Sequence, residues 1–173
     1  MLNFIPYYST QARLVSEDNY VIIISFLEGF VMNISKLKEQ LLEMGKKIGL
    51  QVQEEDKESV TLHSQIVASN YFDNSIYFRL VVFSSGTLHV FLTFNEIEKT
   101  YDNLFLINAF NEQNPWFKAY IANINDKDFL ELHYTSIGLE KESQVVDTCG
   151  FLLNDLLSEN TLKYLNPILQ SER

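Results

Sequence analysis

Residues 101–124 read YDNLFLINAFNEQNPWFKAYIANI, and the rest of the chain is organised around them. It begins as a helix, stops at Asn114-Pro115, and resumes as a strand entered through Trp116 and Phe117. On the helix, Leu104, Ile107, Asn108 and Asn111 fall on one face, because residues three and four apart are neighbours there. Asparagines on an apolar stripe are costly unless they find partners. Asn108 and Asn111 are therefore expected to be structural, bonding to backbone at the following turn and fixing how the helix meets a sheet. Trp116, at the start of the strand, is expected to be structural as well.

Outward from this stretch, the bulk properties bound the answer. A chain of 173 residues, 46% apolar and 13% aromatic, has enough length and grease for a packed core. The net charge is -10, and the acid is spread: residues 1–100 hold 12 acids and 8 bases, residues 101–173 hold 11 and 5. No run of bases interleaves with aromatics, so the electrostatic grip that nucleic acid or an anionic membrane requires is missing. The single cysteine, Cys149, excludes an intramolecular disulfide and a multi-cysteine metal site. Met1-Leu-Asn-Phe carries no positive charge ahead of an apolar run, so a secretory signal is not expected. The greasiest stretch, Tyr20 to Met32, is interrupted by Ser25, Glu28 and Gly29 and is too short to span a bilayer. A cytoplasmic protein is the expectation.

Residues 1–19 are weakly patterned, and Tyr20 to Phe26 is β-branched and aromatic, as a strand would be. Ser35 is placed to cap a helix whose seam is Leu37, Leu41, Met44 and Ile48, with Gly49 at its end. Strands are expected over 50–53, 59–67, 76–83 and 87–94, then over 116–124 and 129–137 after the organising helix. Ser143 is placed to cap a final helix with Val145, Cys149, Leu152 and Leu156 on its seam, and Leu162, Leu165, Ile168 and Leu169 extend the apolar pattern. Hairpins between helices predict an α+β fold with an antiparallel β-sheet flanked by helices. Residues 34–173 would form that domain, with residues 1–33 as an N-terminal segment packing on it or extending it.

A two-residue turn at Ser85-Gly86 sets Val82 opposite His89 and Leu80 opposite Phe91. One face of the hairpin then carries Tyr77, Arg79, Val81, Phe83, Leu88, Val90, Leu92 and Phe94. The other carries Phe78, Leu80, Val82 and Phe91 beside Thr87, His89 and Thr93. A sheet with one wet face alternates more cleanly than this. Something must cover the second face: the N-terminal segment, another helix, a second copy of the chain, or a partner.

The run Leu104-Phe-Leu-Ile-Asn108-Ala-Phe-Asn111, the strand from Trp116, a second strand and a closing helix over 145–157 resemble the YbjN-like family. That family is described as bacterial sensory transduction regulators, with a fold similar to type III secretion chaperones. The resemblance covers 34–169 in element order and 101–157 in residue detail. It implies a bacterial, helix-flanked antiparallel sheet, often dimeric, that binds other proteins and catalyses nothing. Asn108 and Asn111 are the matching positions, and no binding residue carries over.

The remaining motifs offer little chemistry. Cys149 sits between Val145 and Leu152 on an apolar seam, the place of a small core residue rather than a nucleophile. His63, His89 and His133 fall mid-strand; on adjacent strands they could cluster on one sheet face, and three histidines can hold zinc, but no ligand-pair spacing supports this and isolated sheet-face histidines are the expectation. Glu131 and His133 share a strand face as a surface pair. Glu54-Glu55-Asp56-Lys57-Glu58 lacks the spacing and turn glycine of a calcium loop, and the six scattered glycines cradle no phosphate. Asn70 to Asn74 places two aromatics in a loop, where they either mark a binding edge or fold back onto the core. The expectation is a non-enzymatic protein-binding module of adaptor, chaperone or regulatory type, without a cofactor and self-associating as a homodimer. Its contact residues would be Phe78, Leu80, Val82 and Phe91. The alternative is a small-ligand or metal-binding protein, or an enzyme, whose pocket is roofed by the N-terminal segment and anchored by Arg79 and His89. The hairpin register above, which sets Arg79 and His89 on opposite faces, weakens that alternative.

Overall fold

The computed structural model describes residues 12–17, 20–25, 31–67, 75–156 and 165–169. The loop 70–74 and Leu162 lie outside them. The chain divides into two units, Met1–Phe30 and Val31–Arg173. In the first, strand β1 (Ala12–Glu17) pairs antiparallel with β2 (Tyr20–Ser25), in register from Ala12↔Ser25 to Glu17↔Tyr20. Residues 31–33 belong to the second unit: Met32 is buried in its core and donates its backbone N–H to Ser84 O at 2.9 Å.

The second unit opens on helix α1 (Ile34–Met44). Its N-cap is Asn33 rather than the expected Ser35, because the Asn33 carboxamide accepts from Lys36 N at 3.0 Å and Ser35 lies within the first turn. Leu37 and Leu41 are fully buried, a short 3₁₀ turn follows over Gly45–Ile48, and Gly49 closes it. Strands β3 (Gln51–Glu55), β4 (Ser59–Val67), β5 (Ser75–Phe83) and β6 (Leu88–Glu96) form a meander. Helix α2 (Tyr101–Gln113) then crosses to β7 (Lys118–Ile124), and β8 (Lys127–Ser136) returns between β7 and β6. The six strands lie in the order β3-β4-β5-β6-β8-β7, all antiparallel. Helix α3 (Glu142–Leu156) follows, with Ser143 exposed inside its first turn, and a last helical turn covers 165–169. This is an α+β fold, an antiparallel sheet flanked by helices.

The β7–β8 connection is tighter than the four-residue turn expected. Asn125 and Asp126 alone make it, both at positive φ (53° and 63°), a conformation these two residues tolerate better than most. The β5–β6 turn is looser than expected. Ser84, Ser85 and Gly86 form a three-residue loop, with Phe83 N donating to Thr87 O and Gly86 at φ +82°. The register becomes Val82↔Leu88, Leu80↔Val90 and Arg79↔Phe91, one residue away from the register that a two-residue turn imposes. A shift of one residue turns the side chains of one strand to the opposite face. The hairpin faces therefore sort cleanly: Phe78, Leu80, Val82, Leu88, Val90, Leu92 and Phe94 are buried on one side, and Tyr77, Arg79, Val81, Phe83, His89, Phe91 and Thr93 are on the other.

The buried side is the core. It joins Val60, Leu62 and Ile66 of β4 and Leu130 and Leu132 of β8 to the inner faces of the helices. Those faces are Leu37 and Leu41 of α1, Ile107 and Phe110 of α2, and Val145, Cys149 and Leu152 of α3, with Leu165 and Ile168 beyond. The second face of the hairpin is thus not the apolar one that needs a cover; the helices of the same unit cover the apolar side. On α2 the buried positions are Asn103, Ile107 and Phe110, while Leu104 and Asn108 point outward. The asparagine expectation holds for Asn111 and fails for Asn108. Asn111 accepts from Ala119 N at 2.6 Å and donates to Ala119 O at 2.9 Å, taking up both backbone groups of one β7 residue. Asn114 Oδ1 accepts from Trp116 N and Phe117 N and shapes the entry to the strand. Trp116 is half exposed and packs edge-on against Phe151 at 5.7 Å.

Candidate functional site

The sheet face turned away from the helices carries the polar chemistry, in three rows across the strands. The middle row runs Gln51, His63, Arg79, Phe91, His133, Lys118, one residue from each strand. On one side of it lie Thr61, Val81, His89 and Thr135, and on the other Gln65, Tyr77, Thr93, Glu131 and Tyr120. Strand alternation puts all of them on one surface.

The middle row is a stack. The Arg79 guanidinium lies 4.4 Å from the centroid of the Phe91 ring, a cation–π arrangement. Phe91 stacks on His133 at 4.4 Å with 4° between planes, and His133 stacks on His89 at 5.3 Å and 19°. Phe83 closes the His89 end edge-on at 6.0 Å. His89 Nδ1, His133 Nε2 and Thr135 Oγ1 converge, at 3.1 Å between the two nitrogens and at 3.1 and 3.0 Å from each to the hydroxyl. Burial holds the His133 pKa below the ordinary imidazole value; neighbouring His89 and Arg79 push the same way and Glu131 pulls against them.

Beside the stack, Glu131 is only 5% exposed. A buried carboxylate needs donors, and Glu131 has two: Thr93 Oγ1 at 2.9 Å and the Tyr120 hydroxyl. The Glu131–His133 surface pair expected from strand spacing is corrected accordingly; the carboxylate is buried and serves Thr93 and Tyr120. Burial, then the bond to Glu131 and its charge, raise the Tyr120 pKa well above the usual phenol value. Arg79 differs from Glu131. It makes no ion pair among the described residues, and its Nε is buried without a hydrogen-bond partner. Lys118, at the end of the same row, donates to the Asn111 and Asn114 carbonyls at the end of α2.

The residues singled out from sequence separate here. Phe78, Leu80 and Val82 are 1%, 0% and 0% exposed and belong to the core, whereas Phe91 stands on the opposite face among polar groups. Arg79 and His89, which the two-residue turn would set on opposite faces, share one. His63 is apart from the other two histidines, against Tyr77 at 5.8 Å and on the wall of a cleft of about 370 Å³ with Ile48, Gln51 and Gln65. Among the described residues no three His, Cys, Asp or Glu side chains converge as metal ligands. Cys149 is 1% exposed, and burial pushes its thiol up to about 12, which withholds the thiolate that nucleophilic chemistry needs. Tyr120, Thr93, Glu131 and Thr135 were missed as site residues, although His89-x-Phe91-x-Thr93 and Glu131-x-His133-x-Thr135 alternate visibly in the sequence. Among the described residues no helix is long and apolar enough to cross a membrane. No family model, no curated protein and no solved structure matches the chain.

Proposed function

We propose that the chain is a non-enzymatic protein-binding module of adaptor or chaperone type, and that it binds through the sheet face turned away from the helices. Its partner is a protein segment that combines apolar side chains with a carboxylate. The observation that carries this reading is the imbalance between the two charges in the middle of the face. Glu131 is saturated by Thr93 and Tyr120, whereas Arg79 lies stacked on Phe91 with no anion among the described residues. A guanidinium held flat against a ring is pre-organised for a carboxylate. Val81, Phe83 and Tyr77 beside it supply apolar contact. Elsewhere the net charge of -10 repels acidic segments, which makes this face selective within the molecule. The resemblance to the YbjN-like family supports the same class of function and extends it to a self-associating bacterial cytoplasmic protein.

The test is to pan the immobilised full chain against a random peptide library and to titrate the enriched peptides into wild type and Arg79→Ala. Enriched sequences should carry Asp or Glu among apolar residues, and Arg79→Ala should weaken them about tenfold, equivalent to about 1.4 kcal/mol. Peptides without carboxylates, or equal binding by Arg79→Ala, would overturn the reading.

A further inference from the structure

The corner of the face formed by His89, His133 and Thr135 has a geometry that the peptide-binding reading does not use. His89 on β6 is in register with Thr135 on β8, and His133 lies two residues along β8. The alternation of the strand thus aims both imidazoles and the hydroxyl into one space. The three polar atoms make a triangle with sides of 3.1, 3.1 and 3.0 Å. Zinc binds imidazole nitrogen at about 2.0–2.1 Å, which sets tetrahedral ligands about 3.3–3.4 Å apart. The two nitrogens need to part by only a few tenths of an ångström to meet that demand.

The rings are also held in place before any ion arrives. His133 is stacked on Phe91, and His89 is fixed between His133 and the edge of Phe83. Rigid support of this kind lowers the ordering cost of ligation. Glu131, two residues from His133, and Arg79 lie on the same face, an anion that favours a bound cation and a cation that opposes it.

We infer that His89 Nδ1 and His133 Nε2 together bind a divalent first-row metal ion of the class that prefers imidazole, zinc, copper or nickel, with Thr135 Oγ1 orienting water in an open position. Two protein nitrogens leave further positions free, so the ion can also take a ligand from a bound partner. His63, on β4, takes no part.

An N–H···N bond between the rings satisfies the same 3.1 Å without metal, and the experiment separates the two. Zinc chloride is titrated calorimetrically into the full chain as wild type, His89→Gln, His133→Gln and His63→Gln. One equivalent should bind the wild type and His63→Gln alike, with at least tenfold weaker binding to the other two. Equal affinity in all four proteins, or no binding to the wild type, would overturn the assignment. Ring-nitrogen NMR of the wild type alone gives a second readout that needs no variant to fold. Zinc should give metal-bound resonances at Nδ1 of His89 and Nε2 of His133, with the proton held on the other nitrogen of each ring; metal-bound resonances at His89 Nε2, at His133 Nδ1 or at His63 would contradict the site.

Discussion

Asn111 performs with one carboxamide what a neighbouring strand would otherwise do for Ala119. Its oxygen takes the Ala119 N–H at 2.6 Å and its nitrogen gives to the Ala119 carbonyl at 2.9 Å. Ala119 lies on β7, an edge of the sheet, where open backbone groups invite pairing with other chains. Replacing Asn111 with Ala leaves both groups of a buried residue unmatched, and should lower stability in urea by about 2 kcal/mol. Asn108→Ala, on the exposed side of the same helix, should stay within about 0.5 kcal/mol of wild type. Equal losses would show that the backbone of β7 does not depend on Asn111. The pairing of an asparagine with the coming strand was legible from its place just before the Asn114-Pro115 stop. The phase of the helix was not. Leu104, Phe105, Leu106, Ile107 and Phe110 put apolar residues around most of α2, so no single stripe marks the buried side, and Asn103 took the place expected for Asn108.

At the scale of elements, the β5–β6 turn decides which residues share a face. Gly86 sits at φ +82°, and a Cβ there would collide with the Leu139 carbonyl, while Leu139 N donates to Gly86 O at 3.1 Å. The turn is therefore clamped by the chain leaving β8. Gly86→Ala combines backbone strain with this collision and should cost roughly 3 kcal/mol or more. Gly138, at φ +79° with nothing within 4 Å of its missing Cβ, carries the strain alone, and Gly138→Ala should cost about 1 kcal/mol. Similar losses in the two variants, measured by thermal unfolding, would remove the clamp from the account. Ser84-Ser85-Gly86 reads in sequence as a turn, but two-residue and three-residue loops both accept a glycine in that place. The three-residue loop is held by a long-range contact with Leu139, which no local pattern contains. That one residue moved Phe91 away from Phe78, Leu80 and Val82, and brought Arg79 and His89 together.

For the whole molecule, the class of fold was legible because periodicity and caps are local: each long strand and each helix was visible by itself. The neighbours of a strand were not. β8 rather than β7 lies beside β6, and only that order places His133 against Phe91 and Glu131 against Thr93. The division of labour between the two sheet faces follows from this order. One face, with Phe78, is given to the core under the helices, and the other, with Phe91, carries Arg79 and the two imidazoles. The most direct test compares Phe78→Ser and Phe91→Ser by urea unfolding. Phe78→Ser should lose about 3–5 kcal/mol, from the cavity it opens in the core. Phe91→Ser, which gives up ring stacking and a cation–π contact, should lose no more than about 1.5 kcal/mol and stay folded. Equal losses, or a larger loss at Phe91, would place both rings in one core and end the division between the two sheet faces.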